Sequence, residues 1–494
     1  MNKKKHFVGP VVEIIFLGLI ISFICLFLNL IKVRGYVTEP QTFETTLVIV
    51  KNIFSKSGIK YIISNTVGNF KALEPLVLVI LSLIAVSIMD ASGLLKQVFK
   101  PLKKVKPIFI TGIVIFAGII STILGDSSYT LLLPLAGILY KYINRPPSLG
   151  ILTMFIGITI GYGTGLIYNY QMYELGNITE ISAQSITDGY NFELLSNIFI
   201  LLISTFILTI IGSIIVERFS KKFPRYEEED NLNTSKKANR FTVIVAIILL
   251  GIVIYSLIPG LPFSGMLLDR SEPTYIGKIF GAESPFSQGL LFLIIIELMI
   301  CGFVYGTISR NIKNTRDYSR ALTKSFEGTG YVFVLMFFAS ILYEVIDWTN
   351  FSTVITTNIV DFIGSTNVSG LILVIIAFIS IVIISLFIPS TVAKWKLIAP
   401  VYVPLFMRAN ITPTFTQMIF QAADSVGKLL CPIYIFLIIT IGFMNKYDEK
   451  DVSIFGTLRK ILPITLILGA VWLVIIVGWF MLGVPTGINA HITM

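Results

Sequence analysis

Long runs of apolar residues, separated by short polar segments, dominate the pattern of this sequence. A run of about 18 or more apolar residues is long enough to cross the hydrocarbon core of a bilayer. Only helices and closed barrels satisfy their backbone polar groups there, and no alternating barrel pattern occurs. The pattern therefore predicts an all-α polytopic membrane protein with about nine transmembrane helices. The predicted spans are 9–32, 74–93, 148–168, 194–216, 241–258, 287–307, 328–346, 413–441 and 457–482.

Two further apolar segments, 107–140 and 369–407, are too long for one helix and too interrupted for two. Each is broken near its middle by Gly or Pro beside small hydroxyl residues, which end regular helices. We predict that both are re-entrant hairpins, which enter the membrane and leave it on the same side. The residues at the breaks are Gly125, Asp126, Ser127 and Ser128 in the first hairpin and Pro389, Ser390 and Thr391 in the second.

The charges of the loops predict how the chain is oriented. Although the net charge is +10, only 13% of the residues are charged, and the basic ones lie in short loops, which argues against a nucleic-acid partner. With a cytoplasmic N-terminus, 26 Lys and Arg fall in cytoplasmic segments and 9 in external ones, counting Lys32 at the outer end of the first span. This positive-inside pattern predicts a cell (inner) membrane protein with an external C-terminus and an external loop at 169–193. Segment 217–240 is the predicted cytoplasmic linker between a first half, 1–216, and a second half, 241–494.

The sequence offers little for catalysis or metal binding. The three cysteines lie singly inside apolar runs, and both histidines lie near the termini. Neither a disulfide framework nor a metal knuckle is therefore predicted. A GxxxxGK[ST] phosphate loop is also missing, which argues against an ATP-driven pump. We expect no enzyme activity and no cofactor.

An internal repeat relates the two broken segments. Pro134 and Pro147 in the first half are spaced like Pro400 and Pro413 in the second, and an Asn precedes each second proline. By the loop charges, the first hairpin enters from the inside and the second from the outside. Such an inverted repeat is typical of secondary transporters, in which broken helices form a solute site near the membrane midplane. We therefore predict a cation-coupled transporter of a small polar solute.

Ionisable side chains inside spans cost about 2.5–3.5 kcal/mol each on insertion scales, so each is a candidate functional residue. Asp126 at the first break and Asp424 within a span are the strongest, and either is a candidate for binding Na⁺. Gln417, Gln421, Asp424 and Lys428 follow helical spacing on one face, which predicts a polar stripe. The alternative for Asp126 is a carboxylate that caps a helix N-terminus.

At these repeat units the sequence resembles the AbgT family, the p-aminobenzoyl-glutamate transporters. The stretches that carry the resemblance include DSSYTLLLPLAGILY at 126–140, AKWKLIAPVYVPLFM at 393–407 and DSVGKLLCP at 424–432. The resemblance implies nine transmembrane helices with two opposed hairpins, a homodimer and coupling to an ion gradient. It also implies import of folate-breakdown products or export of sulfonamide-type antimetabolites. The positions that match the family are Asp126, Ser390, Lys394, Trp395, Pro413, Asp424 and Pro432, and Ser425 lies within the last stretch.

The sequence departs from the family pattern near the expected binding centre. Gln421 stands where the family has Arg, and Ser385 stands where it has Asn. Lys428 lies two helical turns from Gln421 and four residues from Asp424, within reach of an ion pair. Lys428 therefore has three possible roles: it supplies the missing positive charge to the substrate, it neutralises Asp424 in place of a bound Na⁺, or it extends to the membrane interface and contacts neither. The spacing favours the second, because Asp424 is nearer to Lys428 than a substrate at the helix breaks would be. Lys394 is a weaker candidate, because a lysine can extend to the membrane interface.

The function predicted from the sequence is secondary transport of a small anionic solute of the p-aminobenzoyl-glutamate or dicarboxylate class, with H⁺ or Na⁺ as coupling ion. Export of a sulfonamide-type antimetabolite is the first alternative. An ion channel is the second, and it is disfavoured because the small-residue rings of a selectivity filter are missing. The transported compound, the direction of transport and the coupling ion are open at this point.

Overall fold

The computed structural model of the chain describes residues 9–166, 169–193, 195–220, 223, 226, 232–281, 283–366, 368–447, 452–488 and 490–494. Helices make up most of these residues, as predicted. A two-stranded antiparallel sheet is the exception, in which Arg34 pairs with Ile49 and Thr38 pairs with Thr45. The Tyr, Val, Thr and Ile residues of this hairpin favour extended structure.

The first half of the chain contains nine helices and this sheet among its described residues. In chain order they are α1 (Pro10–Leu30), β1 (Arg34–Thr38), β2 (Thr45–Ile49), α2 (Lys56–Ala72), α3 (Glu74–Ala91), α4 (Leu94–Phe99), α5 (Pro107–Ile120), α6 (Ser127–Tyr142), α7 (Pro147–Gly161), α8 (Tyr170–Gln184) and α9 (Ile198–Ser220).

The remaining helices form a middle section and the second half. The middle helices are α10 (Lys236–Tyr255), α11 (Tyr275–Phe280), α12 (Pro285–Ser309) and α13 (Thr315–Thr323). Those of the second half are α14 (Gly330–Thr349), α15 (Phe351–Gly364), α16 (Gly370–Ile384), α17 (Thr391–Arg408), α18 (Pro413–Leu429), α19 (Ile435–Asn445) and α20 (Ile454–Leu482). Short 3₁₀ helices occupy Lys100–Lys104, Ser121–Leu124 and Lys324–Phe326.

Eight helical segments among the described residues are long and apolar enough to cross a membrane. Seven of them coincide with predicted spans: α1, α3 (with α2 as one segment), α9, α10, α12, α14 and α20. The eighth is Pro107–Leu124, the first arm of the first predicted hairpin. Large apolar side chains such as Ile244, Ile247 and Ile248 on α10 are exposed, as expected for a surface in contact with lipid.

The predicted span 413–441 is not one continuous helix. Two helices, α18 and α19, occupy this stretch, with an interruption at Leu430–Tyr434. Pro432 lies inside the interruption, and a proline lacks the N–H that a continuing helix needs. The Tyr343 hydroxyl satisfies two of the backbone groups freed at this interruption, the Ile433 carbonyl and the Ile435 N–H.

The predicted span 148–168 and external loop 169–193 also need correction. Helix α7 already ends at Gly161, and α8 covers Tyr170–Gln184, much of the predicted loop. Asn169 starts α8 as its N-cap, where its side chain accepts a hydrogen bond from the Met172 N–H at 2.9 Å. Because α8 packs against α17 and α18, it belongs to the interior and not to a solvated loop.

The two predicted helix breaks are present. The first separates α6 from the 3₁₀ turn that follows α5, and the second separates α16 from α17. Both arms of the first pair pack against α7, and both arms of the second pack against α18. Whether either pair enters and leaves the membrane on one side stays a prediction.

The internal repeat extends to backbone conformation. Asn144 and Asn410, which are 266 positions apart, both adopt left-handed backbone angles, with φ of 58° and 60°. The residue after each Asn donates a hydrogen bond five residues back: Arg145 N to Tyr140 O at 2.8 Å, and Ile411 N to Phe406 O at 2.9 Å. The two halves therefore end equivalent helices with the same C-terminal motif.

The predicted linker 217–240 is only partly described. Helix α9 continues to Ser220 and α10 begins at Lys236. Residues 221–222, 224–225 and 227–231 of the linker lie outside the described residues. The division of the chain into halves on either side of this linker stays a prediction.

Candidate functional site

A cavity of about 810 Å³ lies between the two helix breaks. Its wall contains residues of both breaks and of the α18–α19 interruption, so the three irregular segments meet at one place. Irregular backbone at membrane depth is tolerated where it lines a cavity. The lining residues from these segments and from the end of α7 include Gly125, Asp126, Ser127, Pro389, Ser390, Thr391, Tyr162, Lys428 and Tyr434.

Asp424 is the centre of a buried polar cluster behind this wall. Its Oδ1 accepts hydrogen bonds from Ser385 Oγ, at 2.9 Å, and from Lys394 Nζ, which also forms an ion pair with it. Its Oδ2 accepts a hydrogen bond from Thr391 Oγ1 at 2.6 Å. Lys394 is fully buried, contrary to our expectation of a lysine that reaches the interface. Burying these charges is tolerable because they are paired and hydrogen-bonded.

Lys428 joins this cluster to the cavity. Its ammonium lies 3.6 Å from Asp424 Oδ2 and donates a hydrogen bond to Thr391 Oγ1. It also lies 5.1 Å from the ring centroid of Tyr162 and 5.5 Å from that of Tyr434, within cation–π distance. The i,i+4 ion pair that the sequence predicts is thus present. The cluster holds two ammonium groups and one carboxylate, so it has one positive charge in excess.

Asp126 faces the cavity at the first break. The hydroxyl of Tyr162 donates a hydrogen bond to its Oδ1 at 3.1 Å, and its side chain caps no helix N-terminus. Gly125 precedes it with φ of 56° and ψ of −141°, a conformation that a residue with a side chain rarely adopts. Ser128 is buried beside the turn and donates a hydrogen bond to the Gly125 carbonyl.

Trp395 and Gln421 lie away from the cavity. Trp395 stacks on Phe420 at 4.4 Å between ring centroids, and its Nε1 donates a hydrogen bond to Thr179 Oγ1 at 2.9 Å. Thr179, on α8, in turn donates to Gln417 Oε1 at 2.5 Å. Gln421 is buried, and no acceptor among the described residues reaches its Nε2. Neither Trp395 nor Gln421 therefore presents its side chain to this cavity.

The remaining predicted residues position the site. Ser390 is the N-cap of α17 and accepts a weak hydrogen bond from the Ala393 N–H at 3.4 Å. Ser425 Oγ donates to the Ala422 carbonyl at 2.8 Å and is buried. The prolines fall inside helices, at a helix start or in an interruption: Pro134 in α6, Pro400 in α17, Pro413 at the start of α18 and Pro432 between α18 and α19.

Several residues of the site were not among the predicted binding residues, and of these only Thr391 had been named, as part of the second break. Tyr162, Tyr434 and Thr391 contact Lys428, and Glu344 on α14 lines the cavity. A sequence signal existed for two of them. Tyr162 lies 266 positions before Lys428, the offset of the repeat, and Glu344 is an ionisable residue inside a predicted span. The described residues contain no group of three or more His, Cys, Asp and Glu that could hold a metal ion.

Comparisons with known proteins agree with this architecture. The family model described as "AbgT putative transporter family" matches residues 7–494. The p-aminobenzoyl-glutamate transport protein of Escherichia coli strain K12 is 26% identical over 463 residues, which cover 91% of this chain and 88% of that protein.

Two solved structures match nearly the whole length of the chain. The Alcanivorax borkumensis YdaH transporter, described as having an unusual topology, superposes with a TM-score of 0.50 at 24% identity and covers 97% of this chain and 100% of its own. Neisseria gonorrhoeae MtrF, described as illuminating a class of antimetabolite efflux pumps, has a TM-score of 0.49 at 24% identity, with 98% of each chain covered. The family match over nearly the whole chain confirms the predicted resemblance. The chain belongs to the AbgT family of multi-pass membrane transporters.

Proposed function

We propose that this protein is a secondary transporter of a small aromatic anion of the p-aminobenzoyl-glutamate class, driven by a H⁺ or Na⁺ gradient. The observation that carries the proposal is the surface formed by the Lys428 ammonium with the rings of Tyr162 and Tyr434 at the cavity wall. A carboxylate on the solute would pair with the ammonium, and its aromatic ring would pack against the tyrosines.

Two helix N-termini support an anionic solute. Ser127 and Thr391 are the first residues of α6 and α17, and both line the cavity. The N-terminus of a helix carries a partial positive charge and free N–H groups, which favour anions. Paired half-helix N-termini of this kind bind anionic groups in other transporters with inverted repeats.

The charge balance of the Asp424 cluster favours a substrate contact for Lys428 over the neutralisation of Asp424 that its spacing in the sequence favours. Lys394 already forms an ion pair with Asp424, so a second lysine is not needed to neutralise it. The excess positive charge lies at Lys428, which lines the cavity, whereas Gln421 does not. We therefore assign to Lys428 the substrate contact that a family Arg at position 421 would otherwise make.

The size of the cavity is compatible with this class of solute. Sites for small molecules typically have about 300–1,000 Å³, and this cavity has about 810 Å³. The Escherichia coli relative is named for transport of p-aminobenzoyl-glutamate. We propose the same chemical class of solute for this protein. From the loop charges we propose a cytoplasmic N-terminus and an external C-terminus, and from the family resemblance a homodimer.

Uptake into proteoliposomes tests the proposal. Purified protein should take up p-aminobenzoyl-glutamate with saturation and counterflow under an imposed Na⁺ or H⁺ gradient. Lys428→Gln should reduce uptake at least tenfold, because the anion loses its charged partner. Lys396→Gln is the matched control, since Lys396 lies exposed on α17 outside the cavity. Equal uptake by both variants would contradict the assignment of Lys428.

Direction and mode of transport need separate arms. Vesicles preloaded with a sulfonamide distinguish export of an antimetabolite from import under one inward cation gradient. Cation entry empties the vesicles if the protein is an antiporting exporter, whereas a symporting importer takes solute up under the same gradient. Flux without saturation or counterflow would instead indicate a channel.

A further inference from the structure

Glu344 is a buried carboxylate for which the proposed substrate contact has no use. It lies on α14, is only 3% exposed and lines the cavity. Thr66 on α2 donates a hydrogen bond to its Oε2 at 3.1 Å, but no donor among the described residues reaches Oε1. Buried polar atoms are nearly always paired, and leaving one unpaired is unfavourable. An acceptor left open beside a cavity suggests a ligand with positive charge.

The charge of the cavity also suggests a cation. Four carboxylates line it, and Lys428 is the single Lys, Arg or His among the described residues of its wall. An anionic solute alone would add negative charge to this surface. A cation that binds together with the solute would reduce the repulsion. The four carboxylates are those of Glu74, Asp126, Glu344 and Asp347.

The position next to Asp424 is already filled. Both of its oxygens have donors, from Ser385 and Lys394 on one side and from Thr391 on the other, with Lys428 nearby. A metal ion would have to displace an ammonium group there. A cation at Glu344 would displace no ammonium group, because no donor among the described residues reaches its Oε1.

We propose that Glu344 forms a binding site for a monovalent alkali cation such as Na⁺, an inference that rests on the proposed function and assigns the site of its coupling ion. Ser340 and Asp347 line the cavity one turn before and one turn after Glu344 on α14. Hard cations take oxygen ligands of this kind, with water completing the shell. The described residues hold no cluster of three His, Cys, Asp or Glu side chains, so they offer a divalent ion too few charged ligands.

Tyr343 connects this site to the α18–α19 interruption. Its hydroxyl donates a hydrogen bond to the Ile433 carbonyl at 2.6 Å and accepts one from the Ile435 N–H at 2.9 Å. These two residues flank Tyr434, whose ring contacts Lys428. A cation at Glu344 that fixes α14 therefore also fixes the backbone beside the proposed anion site, which is a physical route for coupling the two.

Sodium-dependent thermal stability tests the site. A cation that binds the folded state raises the melting temperature of the detergent-solubilised protein in proportion to the logarithm of its concentration. The measurement replaces choline chloride by NaCl at constant ionic strength. We expect stabilisation of the wild type and an at least tenfold weaker apparent affinity in Glu344→Gln. Asp361→Asn should behave like wild type, because Asp361 is exposed on α15 and lies outside the cavity.

A second variant covers the case in which Glu344→Gln does not fold. Thr66→Val removes the donor to Oε2 and leaves the carboxylate in place, so it should change the apparent sodium affinity severalfold in a folded protein. A wild type without sodium-dependent stabilisation, or variants with unchanged sodium affinity, would overturn the proposal.

Substrate binding is measured separately, as the stabilisation by p-aminobenzoyl-glutamate in choline chloride. If this response is missing while the sodium response depends on Glu344, the proposed function fails and the cation site stands. If the substrate response is present and sodium affinity does not depend on Glu344, the function stands and the cation site fails.

Discussion

At the scale of single residues, the two candidate aspartates are in opposite situations. Asp424 is buried and pairs with a fully buried lysine, whereas Asp126 is exposed to the cavity and contacts a tyrosine hydroxyl. Asp424 therefore has a structural role in addition to any role in transport. Asp126 is free to interact with what enters the cavity.

This difference predicts different effects of the same substitution. Asp424→Asn leaves Lys394 buried without its carboxylate and should destabilise the fold by about 3–5 kcal/mol. Asp126→Asn should change the stability by less than about 1 kcal/mol, yet abolish transport. Thermal unfolding in detergent and uptake into proteoliposomes measure the two effects. Equal loss of stability in both variants would show that Asp126 is also a structural residue.

The sequence predicted that the polar residues of α18 lie on one face, but it did not predict which residues of other helices they contact. Asp424 and Lys428 are four residues apart, and helical spacing alone places them together. Lys394 lies 30 residues from Asp424, on a different helix, so only the packing of α17 on α18 brings them into contact. Glu344 was missed although it meets the criterion that selected Asp126, an ionisable group within a predicted span.

At the scale of elements, the break before α6 depends on one glycine. The Gly125 φ and ψ angles suit a residue without a side chain, and a Cβ built there meets no atom within 4 Å. The cost of a substitution would therefore come from the backbone and not from a clash. The same break positions Asp126 at the cavity.

Gly125→Ala should thus destabilise the protein by about 1–3 kcal/mol and slow uptake, because the new residue disfavours the conformation of the break. Gly251→Ala is the matched control. Gly251 lies in α10 with equally open surroundings, so alanine there should be neutral or slightly stabilising. Melting temperatures and uptake rates provide the comparison. If the two variants have the same stability, the conformation of Gly125 is not required.

The elements that could be predicted are those with a strong local pattern in the sequence. Gly or Pro beside serines predicted both helix breaks, and long apolar runs predicted seven of the spans. Helix α8 was missed because its buried residues Met172, Leu175, Thr179 and Ser182 alternate with polar ones, which lowers the mean hydropathy. The α18–α19 interruption was missed because apolar residues surround Pro432.

At the scale of the whole molecule, orientation in the membrane is the prediction that the fold leaves to experiment. The three native cysteines, Cys25, Cys301 and Cys431, are all buried. Single cysteines can therefore be introduced at exposed positions without removing the native ones.

A membrane-impermeant maleimide added to intact cells should modify Thr187→Cys, after α8, and should spare Ser319→Cys on α13. Both positions are exposed in the fold, and the loop charges place them on opposite sides of the membrane. Ser319→Cys should react after the cells are permeabilised, which is the accessibility control. The reverse labelling pattern would invert the whole topology.

The pairing of Lys394 with Asp424 limits how α17 and α18 can move relative to each other. Because separating two buried charges is strongly unfavourable, α17 and α18 should travel as one rigid body through the transport cycle. The equivalent positions of the first half, 266 residues earlier, are Ser128 and Ile158, which cannot form an ion pair. A buried hydrogen bond of 2.9 Å between the hydroxyls of Tyr129 and Thr159 joins α6 and α7 instead. The two units of the repeat are therefore held by different means, a buried ion pair in the second and neutral contacts in the first.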